Sequence, residues 1–173
     1  MLLANAIAAY ITVHGFQYTV EIVTVPQADA PAALLKGDID LMLVFDRESG
    51  KGWYDEQIYA GNIFDLGSLY TDSPDLRIVG ATSLRQRAAD LVAFYGKVKP
   101  GDEAFDSQAA AISMSRTGTN ALVAALTFFK NNSALWPEWM PAEVSGRVNT
   151  AIADKKTSLR TRDCIPGENN YCR

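Results

Sequence analysis

The chain has 173 residues, of which 48% are hydrophobic and 21% charged, a composition typical of a globular protein with one sizeable core. Its net charge of −4, without a conspicuous basic patch, disfavours nucleic acid and anionic membrane surfaces as partners. No apolar run is long enough to span a bilayer, and the apolar start lacks the basic segment and cleavage site that mark a signal peptide.

Residues 2–67 are predicted to alternate helices and strands. The first helix covers residues 2–13, since His14-Gly15 is typical of a helix end. The elements that follow are a strand, a helix, a strand, a helix and a strand, at residues 18–25, 28–36, 39–45, 53–60 and 62–66. This order predicts an α/β fold with a mixed, mostly parallel sheet flanked by helices and with right-handed crossovers. Ligands would then bind at the carboxyl ends of the strands.

The composition changes after Tyr70. A turn-rich linker is predicted at residues 71–75, and a polar tail is predicted from residue 157. Between them, helices are predicted at residues 84–95, 121–130 and 137–155.

Two cysteines, Cys164 and Cys172, lie in the tail with a Pro-Gly turn between them. Either they close a small disulfide loop in an oxidising compartment, or they are two free thiols. A metal site is not expected, because the chain has only one histidine and it is remote from both cysteines.

The sequence offers little for an enzyme. His14 has no nucleophile context, and "GKGW" at residues 50–53 lacks the length and terminal Ser/Thr of a phosphate-binding loop. Asp38 and Asp40 begin a strand directly after a glycine, where solvated acids are common. We therefore predict that the chain is not an enzyme and needs no cofactor or metal.

Four segments carry a family resemblance: "ANAIAAYITVHGFQYTVEIV", "LLKGDIDLML", "WYDEQIYAGNIFDLGSLY" and "LWPEWMPAEVSGRVNTAIAD". Their order and spacing resemble those of the substrate-binding proteins of glycine betaine/choline/proline-betaine ABC importers. The resemblance implies a periplasmic-binding-protein-like fold of the second type, in which two lobes close on a small zwitterion. A box of Trp and Tyr faces would hold its quaternary ammonium group, which cannot donate a hydrogen bond.

The chain departs from this family pattern in three places. Met1 falls almost directly on the first helix, so the family's first strand and ligand-contacting loop are absent. The second lobe would be reduced to about residues 71–118, inside a solute-binding-protein-like domain of residues 1–156. The family's Glu-x-Trp aligns with Val44-Phe45-Asp46, so its acidic residue and its box tryptophan are both replaced.

Five residues are candidate ligand contacts, each with a structural alternative. Asp46 would attract a quaternary ammonium by charge, or it begins a turn and touches no ligand. Trp53 and Tyr54 would line a cleft, or they pack a helix onto the sheet. Tyr70 would lie where the chain crosses to the second lobe, or it is a surface turn aromatic. Asn5 lies near a helix N-terminus whose free N–H groups could meet a carboxylate, a role that the missing loop weakens.

Two functions follow from these observations. The first is the substrate-binding component of an ABC-type glycine betaine or quaternary amine transport system. It would be extracytoplasmic and non-catalytic, with the membrane permease of the importer as its partner. The alternative is a diverged or truncated secreted or cell-surface interaction protein that kept the scaffold but lost ligand binding.

Overall fold

A computed structural model describes residues 3–101 and 119–156 of the chain. Over these ranges the chain forms seven α-helices, a 3-10 helix at Trp136–Trp139 and three β-strands, so the mixed α/β class is confirmed. The helices are α1 Leu3–His14, α2 Ala30–Lys36, α3 Lys51–Ala60, α4 Thr82–Arg87, α5 Ala89–Tyr95, α6 Thr119–Asn131 and α7 Ala142–Ala153. The strands are β1 Leu41–Asp46, β2 Ile63–Ser68 and β3 Leu76–Ala81.

The chain divides into two compact units. The sheet unit is Val23–Phe105, and the helical unit combines Met1–Ile22 with Asp106–Arg173. The predicted domain of residues 1–156 with a reduced second lobe stays a prediction, since residues 102–118 lie outside the described residues. The predicted tail with Cys164 and Cys172 lies outside them as well.

Glycines end α2 and α3 where the sequence predicts it. Gly37 and Gly61 follow the two helices with φ angles of 80° and 72°, and the N–H of each donates back to the last turn. This left-handed conformation strains any residue with a Cβ, so glycine stops a helix there.

The prediction of a mostly parallel sheet is wrong. The three strands have the order β1-β3-β2, and β3 pairs antiparallel with both neighbours. The helix α3 does connect β1 to β2, and these two strands run in the same direction because both oppose β3. The sequence does not predict β3, which lies between them. The sheet is not that of a periplasmic-binding-protein lobe. β3 directly follows the predicted linker of residues 71–75 and lies in the range that the resemblance assigns to a reduced second lobe.

Three further predictions are corrected by the structure. Residues 18–25 alternate like a strand, but they form no helix or strand and most are exposed, and no strand in the described part of the chain pairs with them. The helix predicted at residues 84–95 is split into α4 and α5 at Ala88, whose extended φ of −151° breaks the helix. The helix predicted at residues 137–155 is a 3-10 helix followed by α7, with Pro141 before its first turn.

The core of the sheet unit lies between the sheet and the helices α2 and α3. Its buried members are Leu34, Met42, Phe45, Tyr54, Ile63, Val79 and Ala81. Met42 and Phe45 both face this core although they are three residues apart. They can do so because a bulge between them leaves two residues of β1 opposite one residue of β3.

In the helical unit, α1 is buried along almost its whole length and contacts α6 and α7. The rings of Tyr10 and Phe129 lie 5.2 Å apart, and the Trp136 indole N–H donates to the Phe129 carbonyl oxygen at 3.1 Å. The Arg147 Nε donates to the Gly15 carbonyl oxygen at 2.6 Å, which ties α7 to the end of α1. No helix in the described ranges is long and apolar enough to cross a membrane.

Candidate functional site

Asp46 ends β1 and shapes the turn into α3. Its carboxylate Oδ1 accepts the N–H of Glu48 at 3.0 Å and that of Ser49 at 3.2 Å. Hydrogen bonding by Ser49, and further by the Glu48 N–H, holds the pKa of Asp46 below its usual value. The Oδ1 atom of Asp46 therefore stabilises the turn that begins at this residue, as the second interpretation of Asp46 predicts.

A cavity of about 450 Å³ lies beside Asp46, between β1, the turn after it and the chain that enters α2. We name it the Asp46 pocket. Most of its walls are apolar, and Asp46 supplies the one ionisable group among them. Its lining residues are Gln27, Ala28, Ala30, Pro31, Met42, Val44, Phe45, Asp46, Ser49 and Gly50. The pocket can hold a small molecule that presents an apolar surface and a positive charge.

Trp53 and Tyr54 lie in the first half of α3 and pack against Phe45. The Phe45 ring centroid lies 5.3 Å from that of Trp53 and 5.9 Å from that of Tyr54, the latter pair stacked. Tyr54 is only 8% exposed, while Trp53 is partly buried against the same core. Trp53 and Tyr54 therefore pack α3 onto the sheet, which is the second interpretation given for them above. Neither residue lines the Asp46 pocket.

A polar network lies next to these rings. The Asp65 carboxylate accepts the Tyr54 hydroxyl, the Gly67 N–H, and two N–H groups of Arg77 at 2.9 and 3.0 Å. Burial opposes ionisation of Asp65, but the hydrogen bonds from Arg77, Tyr54 and Gly67 outweigh it and lower the pKa. Burial, followed by the neighbouring Asp65, raises the pKa of Tyr54 to about 12. The network therefore holds a carboxylate, a guanidinium and a neutral phenol at pH 7.

Tyr70 and Asn5 do not join Asp46. Tyr70 is 2% exposed, so it is a buried residue and not the surface aromatic of its structural alternative. Asn5 belongs to the helical unit, where its Oδ1 is buried without a hydrogen-bond partner in the described part of the chain. Neither lines the Asp46 pocket, and the ligand contacts predicted for Trp53, Tyr54, Tyr70 and Asn5 stay predictions.

Of the residues in the polar network, the sequence marks only Tyr54 as a candidate. Asp65 and Arg77 are single charged residues within apolar strands, and that is the signal that could have marked them. Pairing them requires the register of β2 and β3, in which Asp65 lies opposite Val79 and Arg77 is two residues away on the same face.

Within residues 3–101 and 119–156, no cluster of three or more His, Cys, Asp or Glu side chains is arranged to hold a metal ion. Comparison of the chain with models of known protein families, with curated proteins and with solved structures gave no match.

Proposed function

We propose that the chain binds a small organic cation, a quaternary amine such as glycine betaine or choline, in the Asp46 pocket without catalysing a reaction. The observation that carries this proposal is a cavity of about 450 Å³ whose mostly apolar walls meet a single carboxylate. A volume of this order suits a small ligand, and a few polar groups in apolar surroundings are typical of ligand pockets.

The chemistry of the walls matches the chemistry of the ligand. A quaternary ammonium has no N–H to donate, so methyl contacts and charge must hold it. Met42, Val44 and the Phe45 ring supply the contacts, and Asp46, whose pKa is lowered, supplies a charge that persists at pH 7. Because Asp46 lies at the surface, its attraction will be screened by salt.

The wider role that we propose is that of the substrate-binding component of an ABC-type importer, outside the cytoplasm and in contact with a membrane permease. Its support is the resemblance of the four sequence segments. The antiparallel sheet gives this role no support, so ligand binding is the part of the proposal to test first.

The test is calorimetric titration of the whole chain with choline, glycine betaine and glycine. Saturable heat is expected for the two quaternary amines and not for glycine. The Asp46→Asn variant keeps an oxygen for the turn but loses the charge, and it should weaken choline binding about twofold to fivefold. Asp38→Asn is the matched control, since Asp38 is exposed and does not line the pocket. Its affinity for choline should equal that of the unmodified chain.

The Trp53→Ala variant separates this pocket from the aromatic cage that the resemblance implies, for which Trp53, Tyr54 and Tyr70 are the candidates. If Trp53→Ala abolishes binding in a variant that still unfolds cooperatively, while Asp46→Asn leaves it unchanged, the cage is the site and the Asp46 pocket is not. Absence of heat with every amine would reject both sites and favour the alternative role of an interaction protein.

A further inference from the structure

Three basic residues lie near one end of the sheet, where β1 and β2 end and β3 begins. Arg77 lies opposite Phe45 on β1 and opposite Ser68 on β2. The Arg47 N–H donates to the Asp75 carbonyl oxygen at 2.9 Å, which places Arg47 two residues beyond Phe45 along the same strand pair. The Lys99 ammonium donates to the Ser68 carbonyl oxygen. We name Arg47, Arg77 and Lys99 the basic row.

The Arg47 and Arg77 side chains are linked through Tyr54 and Asp65. The Arg47 guanidinium carbon lies 5.4 Å from the centroid of the Tyr54 ring, and the hydroxyl of that ring donates to Asp65. Asp65 in turn receives the bidentate contact of Arg77. Burial, followed by repulsion from Arg77, lowers the pKa of Lys99.

The three basic residues differ in whether the described residues supply an ion-pair partner. Asp65 is committed to Arg77 and Tyr54, and it compensates one of the three cations of the row. Asp75 is exposed at the edge and acts on Arg77 from there. In the described part of the chain, Arg77 pairs with Asp65, whereas neither Arg47 nor Lys99 forms an ion pair with a carboxylate.

The row also has hydrogen-bond donors to spare. The Arg47 Nε is shielded from solvent and has no hydrogen-bond partner in the described residues. An ammonium has three N–H groups, and Lys99 uses one of them on Ser68. The terminal N–H groups of the Arg47 guanidinium and the other N–H groups of the Lys99 ammonium can donate to an anionic acceptor, and hydrogen bonds between charged partners are strong.

We propose that the basic row binds a small oxyanion, a phosphate or a carboxylate group, through Arg47 and Lys99. Arg77 holds the row in place through its contacts with Asp65 and Pro74 and need not release them. This site is separate from the Asp46 pocket, and it neither requires nor excludes binding of a quaternary amine there.

The experiment measures the melting temperature of the whole chain as inorganic phosphate is added at constant ionic strength. A ligand that binds the folded state raises this temperature in a concentration-dependent way. The unmodified chain should show that rise. Arg47→Gln and Lys99→Gln should each require at least about tenfold more phosphate for the same rise, because each removes a charged hydrogen-bond donor.

Arg85→Gln is the matched control, since it makes the same change of charge at an exposed arginine that lies over the Phe64 ring, 4.3 Å away. It should respond to phosphate like the unmodified chain. Sulfate and acetate distinguish the ligand class: an equal response to sulfate supports a tetrahedral anion, and a stronger response to acetate supports a carboxylate. The proposal is overturned if phosphate gives no rise, or if Arg47→Gln and Arg85→Gln respond alike.

Discussion

Asp65 is the centre of the polar network on the face of the sheet that α3 covers. It accepts hydrogen bonds from Tyr54, Gly67 and Arg77 while its side chain is only 14% exposed. A partly buried carboxylate is tolerated when both of its oxygens accept hydrogen bonds. If the carboxylate is removed, the partly buried Arg77 is left without its ion-pair partner, which costs free energy. At the residue scale, this network should therefore couple folding to pH.

The pKa of Asp65 is lowered in the folded chain, so the network should stabilise the fold above the usual value of 3.8 and lose that contribution as the pH falls through the lower folded-state value. We expect the urea midpoint of the unmodified chain to fall between pH 7 and about pH 3. In the Asp65→Asn variant the midpoint should be lower at pH 7 and should change less on acidification.

Asp55→Asn is the control for this experiment, since Asp55 forms an exposed pair with Lys51 on the surface of α3. Its midpoint should follow that of the unmodified chain at both pH values. Equal pH dependence in the unmodified chain and in Asp65→Asn would show that the network does not link folding to protonation.

At the scale of elements, the sequence predicts single helices and strands better than their pairing. The ends of α2 and α3 follow from Gly37 and Gly61, because only the local backbone decides them. The alternating residues 18–25 show the opposite case, since a strand forms only where a neighbour accepts its hydrogen bonds. The sequence does not predict β3, because the linker before it and the residues after it were assigned to a reduced second lobe.

In the candidate site, too, the sequence predicts local features but not contacts between elements. The turn at Asp46 is a local feature and was correctly described as one alternative. The Asp46 pocket and the basic row join residues from different elements, and the bulge between Met42 and Phe45 changes which side chains of β1 share a face. No periodicity along one segment contains that information.

The Gly80→Ala variant tests how closely β3 packs against the Phe64 side chain of β2. A Cβ at Gly80 would lie 2.5 Å from the Cζ of Phe64, the residue opposite it on β2, and Phe64 is itself 3% exposed. Gly80→Ala should therefore lower the free energy of unfolding by about 1–3 kcal/mol, because a buried ring must move. Urea unfolding monitored by circular dichroism measures the change.

Gly52→Ala is the matched control. Gly52 lies in α3, and a Cβ there meets no atom within 4 Å. Alanine favours a helix, so this variant should be unchanged or more stable by up to about 1 kcal/mol. If Gly80→Ala is as stable as Gly52→Ala, the close approach of β3 to Phe64 is not present in solution.

At the scale of the whole molecule, the two units differ in how the chain builds them. The sheet unit is one continuous segment, Val23–Phe105, whereas the helical unit needs both ends of the chain. The sheet unit also has its own core, in which α2 and α3 cover the face of the sheet that carries Phe45 and Val79. A continuous segment with its own core is expected to fold independently.

We therefore expect the isolated fragment of residues 23–105 to unfold cooperatively in urea. Trp53 is the only tryptophan in this fragment, so its fluorescence reports directly on the packing of α3 against Phe45. The urea midpoint of this fragment should be low, since a domain of this size buries a modest share of its surface.

A shorter fragment, residues 23–75, lacks β3 and is the control. Because β1 and β2 pair only with β3 in the described sheet, this shorter fragment should show no cooperative transition. If both fragments behave alike, the central position of β3 is wrong; if only the longer one folds, the sheet unit is an independent domain.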